Sequence, residues 1–170
     1  MTRLNVATYS LFPAIIIWGI LLGGIVYSHI AFFPVYLSDL PNSAVVVNGK
    51  YAINEVPFWM TVHPLLILSL IIALALNWKF KARRKLIALS FGIYIVVLIV
   101  SAVYFVPELM AFAKSPESNL PASEWLARGH RWYNLSLIRG SWCFIGFVPL
   151  LIALSKPAVE PQTSEKPSPA

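Results

Sequence analysis

The sequence predicts an all-α protein, a transmembrane four-helix bundle with a small extracytoplasmic β-hairpin between its first two helices. Three observations carry this. The 170 residues have a mean hydropathy of +0.73, with 58% hydrophobic and only 12% charged residues, against about a quarter charged in a soluble domain. A globule this small could not hide so much apolar surface from water, whereas a bilayer solvates it. Four stretches are each apolar over the roughly 20 residues that a crossing needs. The positive charge is also concentrated. Of the net +6, Lys79, Lys81, Arg83, Arg84 and Lys85 supply most from one short loop, which marks membrane topology rather than a nucleic-acid footprint.

The first span runs from about Leu11 to Phe33, with Pro13 tolerated in its opening turn. Its apolar core is too long for a signal peptide, and no small-x-small cleavage site follows in YSHIAFFP. The others run from about Val56 to Leu76, Leu86 to Val106 and Trp132 to Leu154. Residues 1–155 thus form one membrane domain. The tail from 156 to 170, KPAVEPQTSEKPSPA, is proline-rich and poor in apolar residues, which predicts a disordered cytoplasmic tail. If the 77–85 loop is cytoplasmic, eight of the 13 Lys and Arg lie on that side with both termini. Four lie on the other side, and Arg139 lies within a span. That bias predicts an integral, multi-pass membrane protein with both termini cytoplasmic. Trp59, Trp78, Trp132 and Tyr133 fall near the interfaces, where amphipathic rings settle.

In the first loop, AVVVNGKYAI (Ala44 to Ile53) has β-rich flanks around Asn48-Gly49, a hairpin signal because Asn-Gly accepts the angles of a type I′ turn. The 107–131 loop contains Pro107, Pro116 and Pro121 and reads helical from Ala122, with Glu124 and Arg128 four apart. No internal repeat stands out. Gly19-x-x-x-Gly23 and Ser136-x-x-x-Gly140 offer small faces for packing within the bundle or for a homo-oligomer. The single Cys143 excludes an internal disulfide and reads as a small buried hydrophobe.

Nearly every residue capable of chemistry falls toward the outer end. His29 lies four residues before the end of span one, about 6 Å along the helix. His63 lies at a comparable depth in span two, Glu108 closes span three and His130 stands at the mouth of span four. Ser101, Tyr104 and Glu108 follow i, i+3, i+7 spacing and share a face. Imidazole and carboxylate are the ligand types for zinc, copper or iron, so His29, His63, Glu108 and His130 form a candidate metal set. The spacing lacks the E-x-x-H pairs of di-iron bundles, and each residue also has a plain structural reading. No cofactor follows from the sequence; a metal ion at the histidines and none at all both remain open. Arg139, roughly two turns inside span four, is too deep for a casual surface charge. It shares a helix face with Arg128 and points nearly opposite to His130. Either Arg139 meets Glu108, or the helix breaks near Gly129 and frees His130. Snorkelling, an ion pair and recognition of an anionic or phenolate-like ligand are its three readings.

Three segments carry a family resemblance. They are the glycine-rich first span ending in YSHIAFFP, then FWMTVHPLLILSLIIALALNWKFKARRKLI, and AVYFVPELMAFAKSP followed by EWLARGHRWYNLSLIRG. Across Leu11 to Leu154 the chain resembles the four-helix membrane family that includes the fungal anthrone oxygenases. The basic anchor in the last span matches at Arg139, and the preceding polar positions at Trp132 and Asn134. The resemblance implies oxidation by molecular oxygen of a small amphipathic aromatic substrate that readily loses a proton. His29 or His130 would act as base and Arg139 would stabilise the anion. Tyr104, Glu108 and Asn134 would line the substrate site. The expected hairpin is not a feature of those oxygenases. Competing expectations are a non-enzymatic accessory or small-molecule-binding protein and a haem or metal redox protein. A transporter fits less well, because no span is plainly broken at mid-membrane. The expected partners are the lipid bilayer, a small amphipathic ligand and a second copy of the chain, with no nucleic acid.

Overall fold

In the computed structural model, residues 3–158 are described; the expected tail falls almost wholly outside them. The described residues form four helices long and apolar enough to cross a membrane: α1 (Leu4–Tyr36), α2 (Val56–Leu76), α3 (Lys81–Ala113) and α4 (Ala122–Ser155). Three of them extend well past the boundaries expected from hydropathy. They stay helical because the flanking residues, although more polar, bury an aromatic face against one another.

The short α2 sets the scale. Its 21 residues span about 31 Å at the helical rise, the thickness of a hydrocarbon core. The other helices have 33 or 34 residues and overshoot by about 18 Å. The overshoot lies at one end, with the loops 37–55 and 114–121. The fold therefore has two storeys, each with its own core. In the four-helix storey, Trp18, Leu66, Leu70, Ile87, Tyr94 and Leu150 are fully buried. In the three-helix cap, Phe32, Phe33, Tyr36, Phe112, Trp125 and Trp132 interlock, and the Phe33 and Phe112 rings both meet Trp132 edge-on. Only 22–28% of each span's most apolar window is buried inside the chain, so most of that surface is left for lipid or another chain.

The end that holds the N-terminal helix and the α2–α3 turn is tied by a buried polar knot. Asn77 donates to the carbonyls of Ala7 (2.8 Å) and Ala73 (2.9 Å) and to the Ser10 hydroxyl (3.2 Å). Arg83 donates to the Lys156 carbonyl (2.8 Å) and the Thr8 hydroxyl (2.9 Å). Both side chains are buried, and between them they link the ends of all four helices. Arg83, one of the five basic residues of this turn, is therefore structural.

The expected β-hairpin at 44–53 is not formed. Residues Asn42–Val46 make a 3₁₀ turn instead, and only Ile53 N–H to Val46 O (2.9 Å) crosses the loop. Gly49 does take a positive φ of 103°, but Asn48 does not, so the expected type I′ turn is absent as well. An isolated two-stranded hairpin is marginal in water, and this segment finds better partners in the cap. Ala44 is fully buried, and Asn48 donates to the Ala113 carbonyl at 2.8 Å.

The helix α4 runs unbroken through Gly129, so the expected break there is absent. Gly129 makes room for the first loop instead: a Cβ on it would lie 3.2 Å from Leu40 Cδ1. Among the small-residue faces, Gly140 approaches α1, where a Cβ would meet Ile25 at 3.2 Å. Gly19 and Gly23 face open space within the single chain.

Candidate functional site

Where the two storeys meet, both α1 and α3 widen into a π-turn, Ser28–Phe32 and Ser101–Phe105. The cause is readable. Pro34 and Pro107 follow, each without an N–H and each pressing on the carbonyl four residues back. One extra residue in the turn relieves that clash, and Phe33 N–H and Val106 N–H reach five residues back to Ser28 O and Ser101 O. The two turns share the pattern S-x-x-x-F-x-P. Such π-turns often mark functional positions, and here each opens with a serine whose hydroxyl meets a charged residue of the following segment.

The α3 serine meets Arg139. Arg139 donates through Nη1 to Ser101 Oγ (3.1 Å) and through Nη2 to Ser136 Oγ (3.0 Å), and its guanidinium covers the Phe105 ring at 4.2 Å. No carboxylate pairs with it among the described residues, where the one ion pair is Arg128 with Glu108. Ser136 is buried and also reaches His29 Nε2 at 3.1 Å. His29 Nδ1 lies 2.7 Å from the Ile25 carbonyl. A carbonyl only accepts, so Nδ1 carries the proton. In the tautomer this sets, Nε2 is the acceptor for the Ser136 hydroxyl. The result is a continuous relay from Arg139 through Ser136 to His29, at the level where α2 begins.

The α1 serine meets Glu55. Ser28 donates to Glu55 Oε1 at 2.7 Å, and Trp59 Nε1 to Oε2 at 3.3 Å. Trp59 stacks on His63 with ring centroids 5.6 Å apart, and His63 Nδ1 lies 2.6 Å from the Tyr94 hydroxyl. This second chain runs from the junction into the four-helix storey.

Beside Arg139 a groove of about 770 Å³ opens between α3 and α4. Its walls include Gly92, Val96, Val100, Tyr104, Ile138 and Trp142. Arg139 is its one charged lining residue. Val96, Ile138 and Trp142 are each more than half exposed. Such exposed apolar faces are compatible with contact to lipid.

Of the sequence candidates, the structure joins His29 and Arg139 through Ser136 and places Tyr104 in the same groove as Arg139. Glu108 goes elsewhere. Arg128 takes both of its oxygens at 2.7 Å, so Arg139 does not meet it. His130 and Asn134 are exposed on α4, away from the relay. The proposed metal set is not assembled: His29 holds Ser136, His63 holds Tyr94, Glu108 holds Arg128 and His130 faces out. Among the described residues no three His, Cys, Asp or Glu side chains are placed to share an ion. Ser28, Glu55, Ser101 and Ser136 are the members that sequence reasoning either missed or read only as packing or approach residues. For Ser28 and Ser101 the available signal was a serine in an apolar run six residues before a proline. No family model, curated protein or solved structure matches the chain.

Proposed function

We propose that this chain is an integral membrane protein with both termini cytoplasmic that binds a small amphipathic aromatic molecule at the outer end of its bundle. We further assign it an oxidoreductase activity of the anthrone-oxygenase kind that the sequence resembles. One observation supports the reading most: a guanidinium without a carboxylate partner among the described residues, wired through a serine to a histidine, where a lipid-soluble molecule would meet water. Ionisable groups at such depth are costly and are kept where they face a cavity or a partner. An acidic aromatic substrate would supply the missing negative charge.

The net reaction converts an activated ring methylene to a ketone: R₂CH₂ and O₂ give R₂C=O and H₂O. The carbon loses two hydrogens and dioxygen is the oxidant, one oxygen atom entering the product and the other leaving as water. For the first proton, His29 Nε2 is the final acceptor, reached through the Ser136 hydroxyl; Ser136 is buried behind the groove wall, so the acidic carbon must come in past Arg139 to meet it. Arg139 stabilises the phenolate-like anion left behind, a role worth about 2.7–4 kcal/mol when a single donor does it.

The test is oxygen uptake by the reconstituted protein given anthrone. Arg139→Gln and His29→Ala should each slow it by about 100-fold. No uptake by the native chain, or full activity in both variants, overturns the oxidoreductase reading. A second reading, a binding protein without chemistry, is favoured by one observation: the groove is lined without His29. It predicts saturable binding that needs Arg139 and not His29.

A further inference from the structure

The groove between α3 and α4 is longer than a small aromatic molecule requires. It reaches from Tyr104 and Phe105 down to Ala88 on α3. From Ser101, the partner of Arg139, to Ala88 is about 20 Å at the helical rise, two thirds of a hydrocarbon core. Its volume of about 770 Å³ is that of a full ligand site. Near its middle Gly92 leaves a notch, since nothing lies within 4 Å of where its Cβ would stand. Below Arg139 the named walls are aliphatic apart from Trp142.

We infer that the groove holds a membrane-resident amphiphile with one anionic head at Arg139 and a long hydrocarbon tail running down α3 past Gly92 toward mid-membrane. Charge complementarity selects the head. Arg139 uses two of its five N–H donors on Ser101 and Ser136, and the rest have no partner among the described residues. A guanidinium 4.2 Å over the Phe105 ring is also cheaply desolvated compared with an ammonium. The groove selects the tail, because its aliphatic floor continues far below the only charge. It opens sideways, so the ligand enters from the bilayer and needs no aqueous channel. That the head is an acidic phenol rests on the function proposed above; the tail site does not.

The test uses the full chain in lipid nanodiscs and two photoreactive phenols. One carries a diazirine halfway along a long alkyl tail, and the other carries a diazirine on the ring and no tail. Labelled residues are mapped by mass spectrometry. The long-tailed probe should label α3 between Gly92 and Val100 and the facing part of α4. Gly92→Trp, at a position where an added Cβ would meet nothing within 4 Å, should cut that labelling by about tenfold. It should leave the tailless probe and the unfolding temperature unchanged. Even labelling over all lipid-facing helices, or labelling indifferent to Gly92→Trp, overturns the tail site. Arg139→Gln reads the head separately. If it abolishes labelling by the tailless probe while the tail result fails, the anion site stands and the amphiphile does not. If it changes neither probe, both fall.

Discussion

Arg128 grips Glu108 through two guanidinium nitrogens, each 2.7 Å from a carboxylate oxygen, while its plane covers Trp125 at 4.4 Å. That pair clamps the cap segment of α3 to α4, and among the described residues it leaves Arg139, three turns further along the same helix, hydrogen-bonded to hydroxyls alone. The carboxylate that could have neutralised the deeper arginine is spent on the shallower one. The positive charge at the junction is therefore available to a ligand.

Because the Glu108 pair is only partly buried, Glu108→Gln should cost no more than about 1 kcal/mol. It should lower the unfolding temperature in detergent slightly and leave ligand binding intact. A loss of binding as large as that of Arg139→Gln would mean that Glu108 belongs to the site.

Ser136→Ala should separate the relay from the fold. It removes the hydroxyl between His29 and Arg139 and leaves a buried Nε2 unpaired, a cost of about 1–3 kcal/mol. Oxygen uptake should fall with His29→Ala, while anion binding at Arg139 falls much less. Equal loss of both would show that Ser136 only positions the arginine.

At the other end of the bundle, Asn77→Leu should destabilise by about 1–3 kcal/mol, since the amide is fully buried and its partners would lose their donor. Arg83→Lys should also destabilise, because an ammonium lacks the fork that reaches Lys156 O and Thr8 together. Thermal unfolding checks both, and wild-type stability in either would remove the knot from the account.

Two glycines should behave oppositely. A Cβ at Gly146 would stand 2.9 Å from Ile93 Cγ2 and 3.1 Å from the buried Trp18 ring, so Gly146→Ala should cost about 1–3 kcal/mol through overpacking. Gly92→Ala, opening into the groove, should be neutral or slightly stabilising. The measurement is again thermal unfolding.

The orientation has its own check. In a Cys143→Ala background, a cysteine replacing Asn48 should react with a membrane-impermeant maleimide added outside cells. One replacing Lys79 should react only after permeabilisation. The reverse pattern inverts the topology.

The all-α class, the four helices long and apolar enough to cross a membrane, and the approximate centre of each were legible from the chain alone. Burial in lipid is specified residue by residue, through apolar runs such as 56–76, and needs no knowledge of neighbours. Turn chemistry was half legible: Gly49 has its positive φ, but whether the flanks pair with each other or dock on the cap depends on surfaces that sequence does not display. That His29, Arg139 and Tyr104 are polar groups set in apolar helices was legible, since such groups stand out. Their wiring was not. Whether Arg139 reaches Glu108 or Ser101 depends on how far α4 continues toward Ala122, on the register of α3 against it, and on the π-turn that Pro107 induces. These are long-range geometric facts. A one-residue change in helix register turns a side chain by about 100°. For this reason the apolar pattern determines that the helices span, while only their packing decides which polar residues meet.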